Sequence, residues 1–248
     1  MKSFTRMFHT VVLILVGTHM TADTARAKQK KSPAQGRPDP AFADSGTRGR
    51  VLQAALEQFA QFGFEGASVR EITTAAQANL AAVNYHFGSK EALYHAVVSE
   101  TFNSIAEERV RLLSECAALP DDHPELLERI LTAMIAPHVG LTASLNGRYY
   151  IKLLARLLNE PRDVTRRVYL DDIHPVRRQF LRALRRALPE LSDENLYRAF
   201  SHATVLMVTA IDDIGYETMA GKPAWPIDCD VFTAHLVRFL AAGFRAME

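Results

Sequence analysis

From Arg48 to the C-terminus the apolar residues recur at intervals of three and four, and the alternation that marks a half-buried strand is almost absent. That periodicity restricts the chain to an all-α fold. Val51, Leu52, Ala55, Leu56, Phe59 and Phe62 form one helical stripe, which Gly63 is expected to stop. Ser68 and Glu71 have the spacing of a capping box, so a second, short helix starts at Val69 and runs to about Ala75. Asn79 caps a third helix that ends near Phe87 before Gly88, and Ser89 caps a fourth that runs from Lys90 toward Ala118. Longer helices follow at about 124–136, 142–158, 163–187, 192–220 and 230–246, broken at Pro137, Pro161, Pro189 and Gly221–Pro226. Pro175, inside the 163–187 segment, should kink or divide it. The expected organisation is an N-terminal extension (1–47), a small helical unit (48–94) and a larger helical body (95–248).

Composition narrows the function classes. With 248 residues, 48% hydrophobic and 23% charged, the chain has the balance of a globular protein with ample core. Its two cysteines, Cys116 and Cys229, are far apart and have no partner at ligand spacing, which excludes a disulfide scaffold, a zinc finger and an iron–sulfur protein. No nucleophile elbow, phosphate loop, metal-ligand spacing or catalytic carboxylate pair appears, so neither an enzyme nor a cofactor is expected. The net charge of +1 is uneven: residues 1–47 carry seven Lys/Arg against three Asp, while residues 95–248 carry eighteen against twenty-one acidic groups. Nucleic-acid binding would therefore rest on the placement of particular groups rather than on bulk charge.

The first residues combine a basic start (Lys2, Arg6), a short apolar run (Val11–Val16) and a small-x-small site at Ala25-Arg26-Ala27. The run is too short to span a bilayer, which needs about 20 apolar residues. An export signal, a plain extension, or a start placed too early with Met20 as the internal start all fit these features. Residues 28–47 lack apolar periodicity and hold three prolines, the composition of a flexible basic tail.

Residues 68–87 set a short helix, a four-residue turn (Ala76–Asn79) and another short helix in succession, the helix-turn-helix arrangement whose second helix enters the DNA major groove. Ala81 and Ala82 keep that helix surface thin, and Asn84 offers an amide able to contact adenine through two hydrogen bonds. Tyr85 and His86 carry donors for phosphates, and Lys90 lies in the first turn of the next helix, whose free N–H groups favour anions. Ser68 and Asn79 start the two helices, and Val83 and Phe87 point into the core.

Residues 48–94 resemble the DNA-binding domain of the TetR (tetracycline-repressor-like) family. The matching residues are Ala55-x-x-x-Phe59-x-x-x-Gly63-Phe64, Ser68-Val69-x-x-Ile72 and Tyr85-His86-Phe87-Gly88-Ser89-Lys90-x-x-Leu93. Asn84-Tyr-His-Phe-Gly-Ser-Lys90 is similar to the subgroup with a CecR-like C-terminal domain. Two departures stand out. Ala81-Ala82-Val83-Asn84 replaces the family's usual Gly-Thr-Leu-Tyr, which moves Asn84 from phosphate contact toward base reading, and Thr73 follows Ile72 where Ala is commoner.

The resemblance implies a homodimer, a partly palindromic double-stranded DNA operator and a small-molecule effector bound by the body. The residues give their own reason for a dimer: Leu196, Phe200, Ala203, Met207, Ala210 and Ile214 repeat at alternating spacings of four and three, as do Phe232, Leu236, Phe239 and Gly243. Phe200, Met207, Ile214, Phe232, Leu236 and Phe239 are the expected interface. Tyr149, Tyr150, Arg156, His174, His202, Asp212 and Tyr216 are polar or aromatic groups on apolar helices and are the candidates for lining an effector cavity. The arginines between Arg166 and Arg186 are expected to form a solvated face paired with carboxylates. The leading reading is a ligand-responsive repressor of transport, efflux or metabolic genes, located in the cytoplasm and without membrane contact. The rival, prompted by residues 1–27, is an exported helical small-molecule-binding protein.

Overall fold

A computed structural model describes residues 46–215 and 228–247, without an account of the side chains of Arg162, Asp213 and Ile214. The expectations for residues 1–45, the Ile214 side chain, Tyr216 and the Gly221–Pro226 break lie outside what is described. The described residues form ten α-helices: α1 Thr47–Gly66, α2 Val69–Ala75, α3 Leu80–Phe87, α4 Lys90–Ala117, α5 Leu126–Gly140, α6 Leu145–Leu157, α7 Arg162–Val168, α8 His174–Ala187, α9 Asp193–Gly215 and α10 Cys229–Arg245. A 3₁₀ turn, Leu141–Ala143, and a π-helical turn, Tyr169–Ile173, complete them.

The first three helices close on the start of α4 around Leu52, Leu56, Phe59, Ile72, Val83, Leu93 and Tyr94, all buried. At 28 residues α4 is about 42 Å long. Its Leu93–Val98 end serves this N-terminal core, and its Ile105–Leu113 stretch packs into the body against α5 and α8. One continuous set of buried side chains therefore joins both parts.

Several expectations are corrected. Gly63 stops the first helical run as expected, with φ 72 and ψ −178, but a further short turn follows it, so that α1 extends across the kink to Gly66. Phe62, placed in the stripe, is exposed. Pro137 does not break α5, which runs on to Gly140. A proline removes one hydrogen bond, and here the adjacent His138 ring nitrogen Nδ1 lies 3.1 Å from the Met134 carbonyl and supplies an extra bond in that turn. Pro175 divides the 163–187 segment as anticipated, through the π-turn that precedes α8.

The apolar seams also face differently from the interface assigned to them. Leu196, Phe200, Ala203, Met207 and Leu236 are buried in the protomer's own core, whereas Phe239, 68% exposed, and Gly243 lie on the outer surface. Phe232 is half-buried. On α9 the regular four-three stripe packs inward, whereas on α10 only Leu236 of that stripe is buried. The outward apolar side chains are Tyr197, Val205 and Leu206 on α9 and Val231 and Phe239 on α10.

Candidate nucleic-acid interface

Local caps set the reading unit. Asn79 Oδ1 accepts from the Ala82 N–H at 2.8 Å, and Ser89 Oγ accepts from Ala92 N–H at 3.1 Å, so α3 and α4 begin where the sequence places them. Ser68 occupies the N-cap position of α2 but makes no side-chain cap bond, so the capping box with Glu71 is not formed. The turn between α2 and α3 is held by the Ala78 N–H to Thr73 carbonyl bond (2.9 Å), with Gln77 at φ 49. From α1, Arg50 Nε donates to the Ala76 carbonyl at 3.1 Å. Arg48 pairs with Glu100 and lies over the Phe87 ring at 5.6 Å. These two arginines brace the reading unit from behind.

The face of α3 is open. Val83 is buried and Phe87 partly so, which leaves Ala81, Asn84, Tyr85 and His86 exposed and Ala82 half-exposed. Tyr85 is 86% exposed, with only the His86 ring packed edge-on at 5.2 Å. Leu80, also exposed, begins the same face and has no hydrogen-bonding group that would mark it in the sequence as a contact. A phenol, an amide and an imidazole on one solvated turn beside two alanines make a surface suited to base edges and phosphates.

The region around Lys90 is less free than expected. Its Nζ lies 3.4 Å from the Glu65 carbonyl and 4.8 Å above the Phe64 ring. The N-terminal amides of α4 are partly served from within: the Glu91 carboxyl is held below its ordinary range by its own backbone N–H and then by Ser89.

Beneath the unit, α1 is tied to α6. Arg156, expected in an effector cavity, instead donates from Nε to the Ala60 carbonyl (2.7 Å) and from Nη2 to the Gln61 carbonyl (2.5 Å). These are carbonyls left without helical partners at the Gly63 kink. Glu160 Oε1 accepts from the Phe64 N–H at 2.8 Å, and Gln53 donates to Asn146 at 2.7 Å. Phe59, Phe64 and Tyr94 pack as an aromatic cluster next to this joint, with Tyr94 edge-on at 5.0 and 5.4 Å. Burial first, and then the Glu160 charge, push the Tyr94 hydroxyl well above its usual range.

The remaining cavity candidates divide. Tyr150 is fully buried, Tyr149, His174 and Asp212 are half-buried, and His202 is exposed on α9 and lines nothing internal. The arginine-rich stretch is paired with carboxylates only in part: Arg167 with Asp171, Arg185 with Asp193 and Arg186 with Asp121, whereas Arg177 donates to the Tyr169 and Ser201 hydroxyls and lies over the Tyr197 ring. Among the described residues no group of His, Cys, Asp or Glu is placed to hold a metal ion, and no helix is long and apolar enough to cross a membrane.

Two family descriptions match the chain: bacterial regulatory proteins of the TetR family over residues 51–97, and the tetracyclin repressor-like C-terminal domain over residues 132–243. The transcriptional repressor NicS of Pseudomonas putida is 34% identical over 111 residues, covering 39% of this chain and 51% of that protein. The chain thus spans about half of that relative's length. The nicotine-responsive repressor HdnoR of Paenarthrobacter nicotinovorans is 25% identical over 61% of this chain and 76% of its own. A TetR-family regulator from Mesorhizobium loti shares the fold, with a TM-score of 0.55 at 16% identity over 81% of this chain and 95% of that one. The chain belongs to the TetR family of bacterial regulatory proteins.

Proposed function

We propose that the protein is a homodimeric, effector-responsive transcriptional repressor that reads a partly palindromic operator through α3 and acts in the cytoplasm. The observation that carries this reading is the capped α3 helix, anchored by Val83 and Phe87, that leaves Ala81, Asn84, Tyr85 and His86 to solvent. Asn84 reads a base, Tyr85 and His86 position the helix on phosphates, and Lys90 adds a phosphate contact through the donors its Glu65 bond leaves over. One such helix covers too few base pairs for specificity, so two related helices bind half-sites about one helical turn, or a multiple of it, apart. The outward side chains Val205, Leu206 and Phe239 form the partner face, lying over the inward layer of Phe200, Met207 and Leu236. Effector binding in the body moves α6, and Arg156, Glu160 and Asn146 pass that shift to α1.

The test is selection of binding sequences from a random duplex pool by the purified protein. The expected product is a two-fold related pair of half-sites. Asn84→Ala should relax preference at one base position per half-site, costing about 1–3 kcal/mol at the selected operator. An unenriched pool overturns the reading, and a uniform loss across all sequences reassigns Asn84 to positioning.

A further inference from the structure

The interior of the body holds a cation without an ion-pair partner among the described residues. Arg109 extends from the body half of α4 and is 7% exposed, with its Cζ 4.7 Å above the Phe180 ring of α8. Its Nε is closed off from solvent without a hydrogen-bond partner, and among the described residues no carboxylate is within ion-pair distance of the guanidinium. Two further polar groups are buried nearby on other helices. Tyr150 of α6 is 0% exposed and its hydroxyl also lacks a partner. His138 of α5 is bonded through Nδ1 to the Met134 carbonyl.

The charges of these groups are assigned by their surroundings. Burial lowers the Arg109 pKa to about 10, so the guanidinium remains positive at neutral pH. Burial first, and then the Arg109 charge, push His138 down to about 3, so it is neutral and adds no second positive charge. Burial drives the Tyr150 hydroxyl far above its usual range, so it stays a neutral donor. The carboxylate whose charge reaches Tyr150 is Asp172, which accepts from Ser99 Oγ at 2.5 Å, lies 3.7 Å from His95 Nε2 and makes no ion pair with Arg109. One positive charge without an ion-pair partner and one unused hydroxyl donor are left, beside the Phe180 ring.

We propose that Arg109 and Tyr150 form the anchor of the effector site and that the effector is a small organic carboxylate. A carboxylate matches the planar fork of a guanidinium with two parallel hydrogen bonds and takes a third from a phenol. Its single negative charge balances Arg109. A doubly charged phosphate would leave excess charge beside neutral His138 in a poorly hydrated interior. The apolar part of the molecule lies against Phe180. This inference rests on the reading of the body as an effector-binding domain. A buried unpaired charge costs stability in the ligand-free protein, as expected of a group kept for binding rather than for folding.

The test is thermal melting of the full-length protein and of Arg109→Met at constant ionic strength. Both are measured alone and with millimolar acetate, hexanoate or benzoate, each paired with its neutral amide. Without additive, Arg109→Met is expected to melt a few degrees above the wild type, because the unpaired charge is gone. At least one carboxylate is expected to raise the wild-type melting temperature more than its amide does, and that difference is lost in Arg109→Met. Arg109→Lys, which keeps the charge without the fork, retains less than half of it. The proposal is overturned if Arg109→Met melts lower or fails to fold, if no carboxylate exceeds its amide, or if the difference persists in the variant. Operator binding by the same preparation separates the two readings. DNA binding with no carboxylate effect removes this site and leaves the regulator, whereas a carboxylate effect without DNA binding does the reverse.

Discussion

The reading helix and the body interior both present polar side chains that the fold does not pair, but in opposite environments. On α3, Asn84, Tyr85 and His86 stand in water, where an unpaired donor is solvated and costs nothing. In the body, Arg109 and Tyr150 are unpaired while buried, where the same condition is expensive. An exposed polar face is compatible with many roles and needs a second argument, here the helix-turn-helix frame. A buried, unpaired charge is rarer and carries more information by itself. Between these regions lies the joint at Gly63, where Arg156 of α6 and Glu160 just after it complete the broken end of α1.

The largest effect that tests this contrast is the response of the body to acid. The His138 pKa of about 3 in the folded protein lies below the unfolded value of about 6.5, so the native state binds fewer protons between them. The stability tied to neutral His138 is therefore complete above about pH 6.5 and is lost as pH falls toward 3, with a slope approaching about 1.4 kcal/mol per pH unit. Denaturant midpoints over this range should fall more steeply for the wild type than for His138→Asn. Parallel curves would mean that His138 is not held neutral in the interior.

Next in size is the joint. The Gly63 backbone, φ 72 and ψ −178, lies in a region essentially reserved for glycine, and an added Cβ would sit 2.8 Å from Glu160 Oε1. Gly63→Ala should cost about 1–3 kcal/mol, seen as a lower urea midpoint. A neutral result would show that α1 relaxes without help from Glu160.

The smallest effect is a pair of caps in the reading unit. Asn79→Ala removes a formed cap bond and should cost about 1 kcal/mol, whereas Ser68→Ala removes none and should cost less than about 0.5 kcal/mol. Equal losses would mean that Ser68 caps α2 in solution after all.

The order of helices in the reading unit, its turn and two of its three caps were legible in the sequence. Each depends on residues within about four positions of one another: Asn79 bonds Ala82, Ser89 bonds Ala92, and Val83 and Phe87 share a helix face. The candidate interface was legible for the same reason, since once α3 packs through Val83 and Phe87 its other face is determined. The cavity candidates were not. Arg156 reads as a polar group on an apolar helix, and only the approach of α1 from 96 residues away turns it into a clamp on the Ala60 carbonyl.

The sequence by itself determined the all-α class, the start and stop of α2, α3 and α4, and the groups that α3 presents, because helix periodicity and capping are local. Tertiary structure alone decided which apolar stripe of α9 and α10 turned inward and that α5 continued through Pro137. It also decided that Arg109, one of many charged residues along α4, lost its access to water. The physical reason is the same in each case. A helix with two apolar sides, or a long side chain that can reach either way, has no preference until a neighbour distant in sequence covers one side, and burial then assigns both packing and charge.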